Sequence, residues 1–138
     1  MKENAASREL PHCAVYARLA VSPIEGVGVF AIRPIPAGTD IFGNDRVEIV
    51  WVDRAQLAGL QPGQRKLYDD FGIRRGQQIG CPVNFNNLTP GWYCNEPAEG
   101  NEPNVVVEPD FTFRAARDIA EGDELTVRYA QFSQGDAT

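Results

Sequence analysis

Ile119-Ala120-Glu121-Gly122-Asp123-Glu124-Leu125-Thr126-Val127-Arg128-Tyr129 begins as a turn and ends as a strand. An apolar anchor, a glycine able to take a positive φ angle and an acid followed by an aliphatic residue read as a tight corner from which a strand over 124–129 departs. The same spacing occurs earlier in the chain: Ala31, Ile35, Gly38, Asp40 and Ile41 repeat the intervals of Ala115, Ile119, Gly122, Glu124 and Leu125. Two copies are too few for a stacked-repeat architecture. They predict two similar β-corners in one compact, β-rich fold.

Working outward, residues 15–22 alternate in polarity up to Pro23, and 27–32 resume after Glu25-Gly26, which predicts a hairpin. A turn at Pro34, Pro36 and Gly38 leads into short strands over 39–42 and 47–53. Asp53 can cap a short helix over 54–58, and a second helix fits 62–71, with Pro62 at its start and Gly72 at its end. Residues 76–91, rich in Gly, Pro, Asn and Gln, read as an irregular surface segment with strand fragments, the kind of loop that often carries function. Strands over 105–108 and 111–116 surround a Pro109-Asp110 turn. Residues 1–14 are read as an N-terminal extension, 15–132 as the domain and 133–138 as a frayed tail.

A chain of 138 residues with 43% hydrophobic content suits one core. No apolar run approaches the roughly 18 residues that suggest a membrane span, so the expectation is a soluble, cytoplasmic protein. Cys13, Cys81 and Cys94 lack C-x-x-C spacing and are read as reduced thiols; with His12 the sole histidine, no metal site is predicted. The net charge of −6 argues against direct nucleic-acid binding, which needs clustered Lys and Arg. The acids are also concentrated. Nine carboxylates from Glu96 to Glu124 face only Arg114 and Arg117, so 2 − 9 gives −7 there and leaves +1 elsewhere. A basic partner fits such a chain.

Three blocks together resemble the SET domain of protein lysine methyltransferases. Residues 26–38, Gly-Val-Gly-Val-Phe-Ala-Ile-Arg-Pro-Ile-Pro-Ala-Gly, are similar to the family's opening G-x-G segment. Residues 92–105, Trp-Tyr-Cys-Asn-Glu-Pro-Ala-Glu-Gly-Asn-Glu-Pro-Asn-Val, look like its Asn-His-Ser-Cys-x-Pro-Asn block, with Glu96 in place of the histidine and three extra residues before Pro103-Asn104. The 119–129 stretch is similar to the Gly-Glu-Glu-Leu-Thr-x-x-Tyr block. By contrast, Gly26-x-Gly28 lacks the third glycine and the following helix of a dinucleotide fingerprint.

The resemblance implies a mainly β fold with short helices, a β-clip-like set of small sheets in which the C-terminal segment threads a loop near Asn95 in a knot-like way. It implies S-adenosylmethionine as cofactor, approached by Val27, Gly28 and Val29 and by Asn95 and Glu96, the last through backbone groups that recognise adenine. Tyr129 matches the catalytic tyrosine, with a positioning rather than a basic role, since phenol and lysine both titrate near 10. Val127, two residues earlier, would face the same substrate channel if the strand alternates, and Phe132 would cover it. The substrate implied is a lysine in a basic protein segment. No cysteine-rich segment follows Tyr129 in this sequence, so channel closure is expected from Phe132, the tail or a second subunit, which makes a homodimer compatible with the reading. The competing reading is a non-catalytic SET-like module that binds a peptide or protein partner.

Overall fold

The computed structural model describes residues 10–43 and 48–133. Strands β1 (Ala17–Val21) and β2 (Val27–Ala31) form the expected hairpin, antiparallel, with Ala17 opposite Ala31 and Val21 opposite Val27. Ser22 sets the turn: its Oγ accepts the N–H groups of Ile24 at 2.9 Å and Glu25 at 3.3 Å, and its own N–H donates to Gly26 O at 2.8 Å. Strand β3 (Ile49–Asp53) starts two residues later than expected; Val47 lies outside the described residues.

Helix α1 (Pro62–Phe71) lies where expected, with Pro62 in its first turn, where no N–H is needed, and Gln64 Oε1 accepting the Gln61 N–H at 3.2 Å. The shorter predicted helix is a 3-10 turn, Arg54–Leu57. Strands β4 (Ile73–Arg75) and β5 (Gln78–Pro82) follow, then β6 (Val105–Val107), β7 (Phe113–Ala115) and β8 (Glu124–Leu125). Three small antiparallel sheets result, ordered β1-β2-β8, β3-β5-β4 and β6-β7. No described helix is long and apolar enough to cross a membrane.

Some expectations change. The 76–91 segment contributes the central strand of the second sheet, because Ile79 to Pro82 are all buried and give no alternation to read. Residues 39–42 form no strand; Asp40 makes one bridge, to Arg114. The strand expected over 124–129 ends at Leu125, and Tyr129–Gln131 is a 3-10 turn. Ser133, expected to fray, donates its N–H to Tyr129 O at 2.7 Å, while its Oγ accepts the Arg74 N–H at 2.9 Å.

The repeated spacing is a structural reciprocity. Ile35 N–H donates to Ile119 O and Ile119 N–H to Ile35 O, both at 2.8 Å. Gly38 N–H meets Ala115 O and Gly122 N–H meets Ala31 O, again at 2.8 Å. Ala115 N–H to Thr39 O and Ala31 N–H to Asp123 O complete the set at 2.9 Å. Gly38 and Gly122 have φ of 86° and 92°, a region that disfavours any Cβ. Each corner therefore supplies the other with backbone partners. Between them lies the core, whose fully buried side chains are Val29, Ile35, Val105, Leu125 and Val127. Burial of each such side chain contributes about 1.5–3 kcal/mol as an upper estimate.

Past β8 the chain runs between the two ends of the 95–105 loop. Thr126 is bridged in parallel to Asn95, and Val127 N–H donates to Asn95 O at 3.0 Å. On the other side, Val105 N–H donates to Thr126 O at 3.0 Å, and the Asn104 amide accepts from Thr126 N–H at 2.8 Å and donates to Glu124 O at 2.9 Å. These bonds carry Tyr129 to the boundary between the sheets.

Candidate active site

Tyr129 is held at both ends. Its phenol donates to Cys94 O at 3.1 Å, and its backbone N–H donates to Glu96 Oε2 at 2.7 Å. Phe132 packs edge-on against the ring, with centroids 6.0 Å apart. Tyr129 keeps 43% of its surface exposed. Partial burial, followed by the charge of Glu96 and the neighbourhood of Cys94 and Glu25, pushes its phenol above the ordinary value. It is therefore a neutral hydrogen-bonding group at physiological pH. Cys94 is buried, and burial together with the Glu124 carboxylate pushes its thiol up to about 12. A thiol so placed is no nucleophile.

Tyr129 lines a cavity of about 570 Å³. Trp92, Phe111, Phe113, Val127, Tyr129 and Phe132 contribute to its walls. Val127 is 1% exposed, and it lines the cavity with Tyr129 although the strand ended at Leu125. Phe111 takes φ of 69°, a strained choice for a residue with a Cβ, and its ring stacks under the Arg75 guanidinium, 5.2 Å from the centroid. Arg75 in turn donates to Phe132 O at 3.3 Å.

Asp40, Glu48, Asp69, Asp70 and Asp110 also line the cavity, against Arg74 as the cation among the lining residues. Asp69 and Asp70 pair along α1 with Arg65 at 4.0 Å and Lys66 at 3.2 Å. Exposed pairs of this kind contribute only about 0.3–0.5 kcal/mol each, and a net acidic field remains. Of the nine carboxylates between Glu96 and Glu124, Asp110 is the one that lines the cavity. The acidic run in sequence is thus not the acidic wall in space.

Next to the Tyr129 partners Cys94 and Glu96 in the chain, Asn95 gathers a cluster rich in acceptors. The Asn95 amide nitrogen lies 3.0 Å from Glu124 Oε2, 3.1 Å from Glu25 O, 3.3 Å from Ser22 Oγ and 3.4 Å from Val27 O. Ser22 Oγ is 2.9 Å from both Glu124 oxygens and donates to that carboxylate. Gly28 is required here for packing within the chain, since a Cβ would overlap the Glu124 carboxylate and press on Ser22 Cβ. The carbonyls of Glu25 and Val27 and the Glu124 carboxylate gather around one amide, an acceptor-rich cluster held together by Asn95.

The structure thus brings Val27, Gly28, Asn95, Glu96 and Tyr129 into one neighbourhood, and Val127, Tyr129 and Phe132 to the cavity. Val29 stands apart: it is 0% exposed and sits in the core opposite Leu19 and Leu125. Ser22 and Glu124 were not singled out as site residues in the sequence, although Glu124 lies inside the decisive block. In the sequence, Ser22 is only the last residue of the alternating stretch before Pro23.

These features coincide with a known domain type. The family model of the SET domain matches residues 26–130, so the chain belongs to the SET domain family. Among solved structures it is similar to a candidate histone methyltransferase of Plasmodium falciparum, at 20% identity over 82% of this chain and 91% of that one, with a TM-score of 0.50. It is also similar to the methyltransferase domain of human PR domain-containing protein 2, at 19% identity over 98% and 86% of the respective chains, with a TM-score of 0.51. At such identities the likeness is one of fold. No curated protein matches the chain.

Proposed function

We propose that this chain transfers a methyl group from S-adenosylmethionine to a lysine side chain of a protein with basic residues near the target. The observation that carries the reading is that Tyr129, bonded to residues 94 and 96 beside the acceptor-rich cluster at Asn95, also lines an aromatic, acid-bearing cavity of about 570 Å³. A tyrosine that touches both a cofactor-holding cluster and a substrate cavity is what transfer between them requires.

Val27, Gly28, Asn95 and Glu96 would hold the cofactor, which when bound supplies an electrophilic methyl group on a sulfonium. The rest is the work of this chain's own residues. Carboxylates along the cavity draw a lysine ammonium in. Past them, Val127, Phe132 and Phe111 desolvate the amine and favour release of its proton to bulk water, leaving the neutral, nucleophilic form. Tyr129 commits its proton to Cys94 O, leaving the phenol oxygen's lone pairs to accept from the amine and fix its direction. With its phenol held neutral, Tyr129 aligns the nucleophile and does not remove its proton.

Calorimetric titration with S-adenosylmethionine tests the first half of this reading. Saturable binding is expected. No binding up to millimolar cofactor would leave a peptide-binding module and overturn the enzymatic assignment.

A further inference from the structure

Glu96 stands where the resemblance calls for histidine, and its side chain reaches across to Tyr129. Its Oε2 accepts the Tyr129 N–H at 2.7 Å, short for an N–H···O bond and in the range of a charged acceptor. That N–H opens the 3-10 turn Tyr129–Gln131 and has no acceptor within the turn. At the far end of the same residue, the phenol donates to Cys94 O at 3.1 Å. Between these two partners, Asn95 is bridged to Thr126 and accepts the Val127 N–H. Residues 94–96 therefore grip the Tyr129 backbone at one end and its ring tip at the other.

We propose that Glu96 is a positioning residue of the active site, whose carboxylate fixes the Tyr129 backbone and so the place of the phenol between cofactor surface and cavity. A phenol oxygen at the far end of the side chain from the backbone nitrogen amplifies small shifts of the main chain, and misplacement by about 1 Å can cost on the order of 10²-fold in rate. The Glu96 carboxylate thus takes up a backbone task, separate from any contact of residue 96 with adenine. The kinetic consequence rests on the methyl-transfer reading; the geometric claim does not.

The test compares Glu96→Ala, which removes the acceptor, with Glu96→Gln, which keeps a carbonyl acceptor without the charge. In the cofactor-free protein, the Tyr129 amide should exchange with solvent about tenfold faster or more in Glu96→Ala and recover most of its protection in Glu96→Gln. In the methyl-transfer assay, Glu96→Ala should lower kcat about tenfold or more with KM for the protein substrate little changed, and Glu96→Gln should recover most of that loss. Wild-type amide exchange in Glu96→Ala overturns the proposal, as does a glutamine variant as impaired as the alanine one. The amide measurement needs neither cofactor nor substrate, so a chain that transfers no methyl group still decides the role of Glu96 while refuting the enzymatic reading.

Discussion

A phenol donating to a main-chain carbonyl is a weak signal by residue type, and Tyr129 was legible in the sequence only through the block that ends on it. What the sequence could not give was its second bond, because an acid 33 positions away reaching a backbone N–H leaves no periodic trace. The residue-scale prediction follows from the phenol's bond to Cys94 O. Tyr129→Phe should leave S-adenosylmethionine affinity within about twofold while kcat falls on the order of 10²-fold, read by calorimetry and single-turnover transfer; unchanged turnover would remove Tyr129 from the mechanism. Cys94 gives a second. Its thiol is raised from 9.0 to about 12 in the fold, so the folded state holds its proton more tightly than the unfolded chain. That contribution is complete below about pH 9 and is lost as pH rises toward about 12. Denaturant titrations should therefore show stability falling across that window, less steeply in Cys94→Ala. Iodoacetamide at pH 8 should label exposed Cys13 and leave Cys94 untouched, as mass spectrometry would report.

At the scale of elements, the hairpin, α1 and the β6-β7 pair were legible because their signals are local: alternation, a proline at a helix start, a turn between two apolar runs. Strand β5 was not, since Gly80 is a glycine to accommodate the Trp51 ring, about 2.8 Å from where a Cβ would stand, and not to make a turn. The echo between 31–41 and 115–125 was read as two similar corners, and it proves to be two corners that bond each other. Gly38→Ala and Gly122→Ala should each cost about 1–2 kcal/mol, because both glycines hold a positive φ with open space around them. Ile35→Ala and Ile119→Ala should cost about 2–5 kcal/mol each, because both side chains are buried in the same core while their backbone bonds survive truncation. Thermal unfolding of the four variants checks both statements. A cost well below about 1 kcal/mol at either isoleucine would contradict its place in the core.

For the whole molecule, the acidic surplus has its counterpart in an acidic cavity wall, but not where the sequence concentrates its acids. The acidic run from Glu96 to Glu124 suggested a basic partner, but the acids that line the cavity come from Asp40, Glu48, α1 and Asp110, elements scattered along the chain. Composition cannot register such convergence, because it depends on how three sheets meet. KM for a basic substrate should rise with ionic strength while kcat changes little, and Asp40→Asn should weaken that salt dependence. A KM indifferent to salt would remove the acidic wall from substrate capture.

The central claim is that Tyr129 joins a methyl donor on one side to a lysine on the other. Incubating the chain and its Tyr129→Phe variant with methyl-labelled S-adenosylmethionine and a basic protein fraction tests it most directly. The account predicts label on lysine side chains with the wild-type chain, identified by mass spectrometry, and little or none with the variant. Labelling equal in both, or on residues other than lysine, would contradict it.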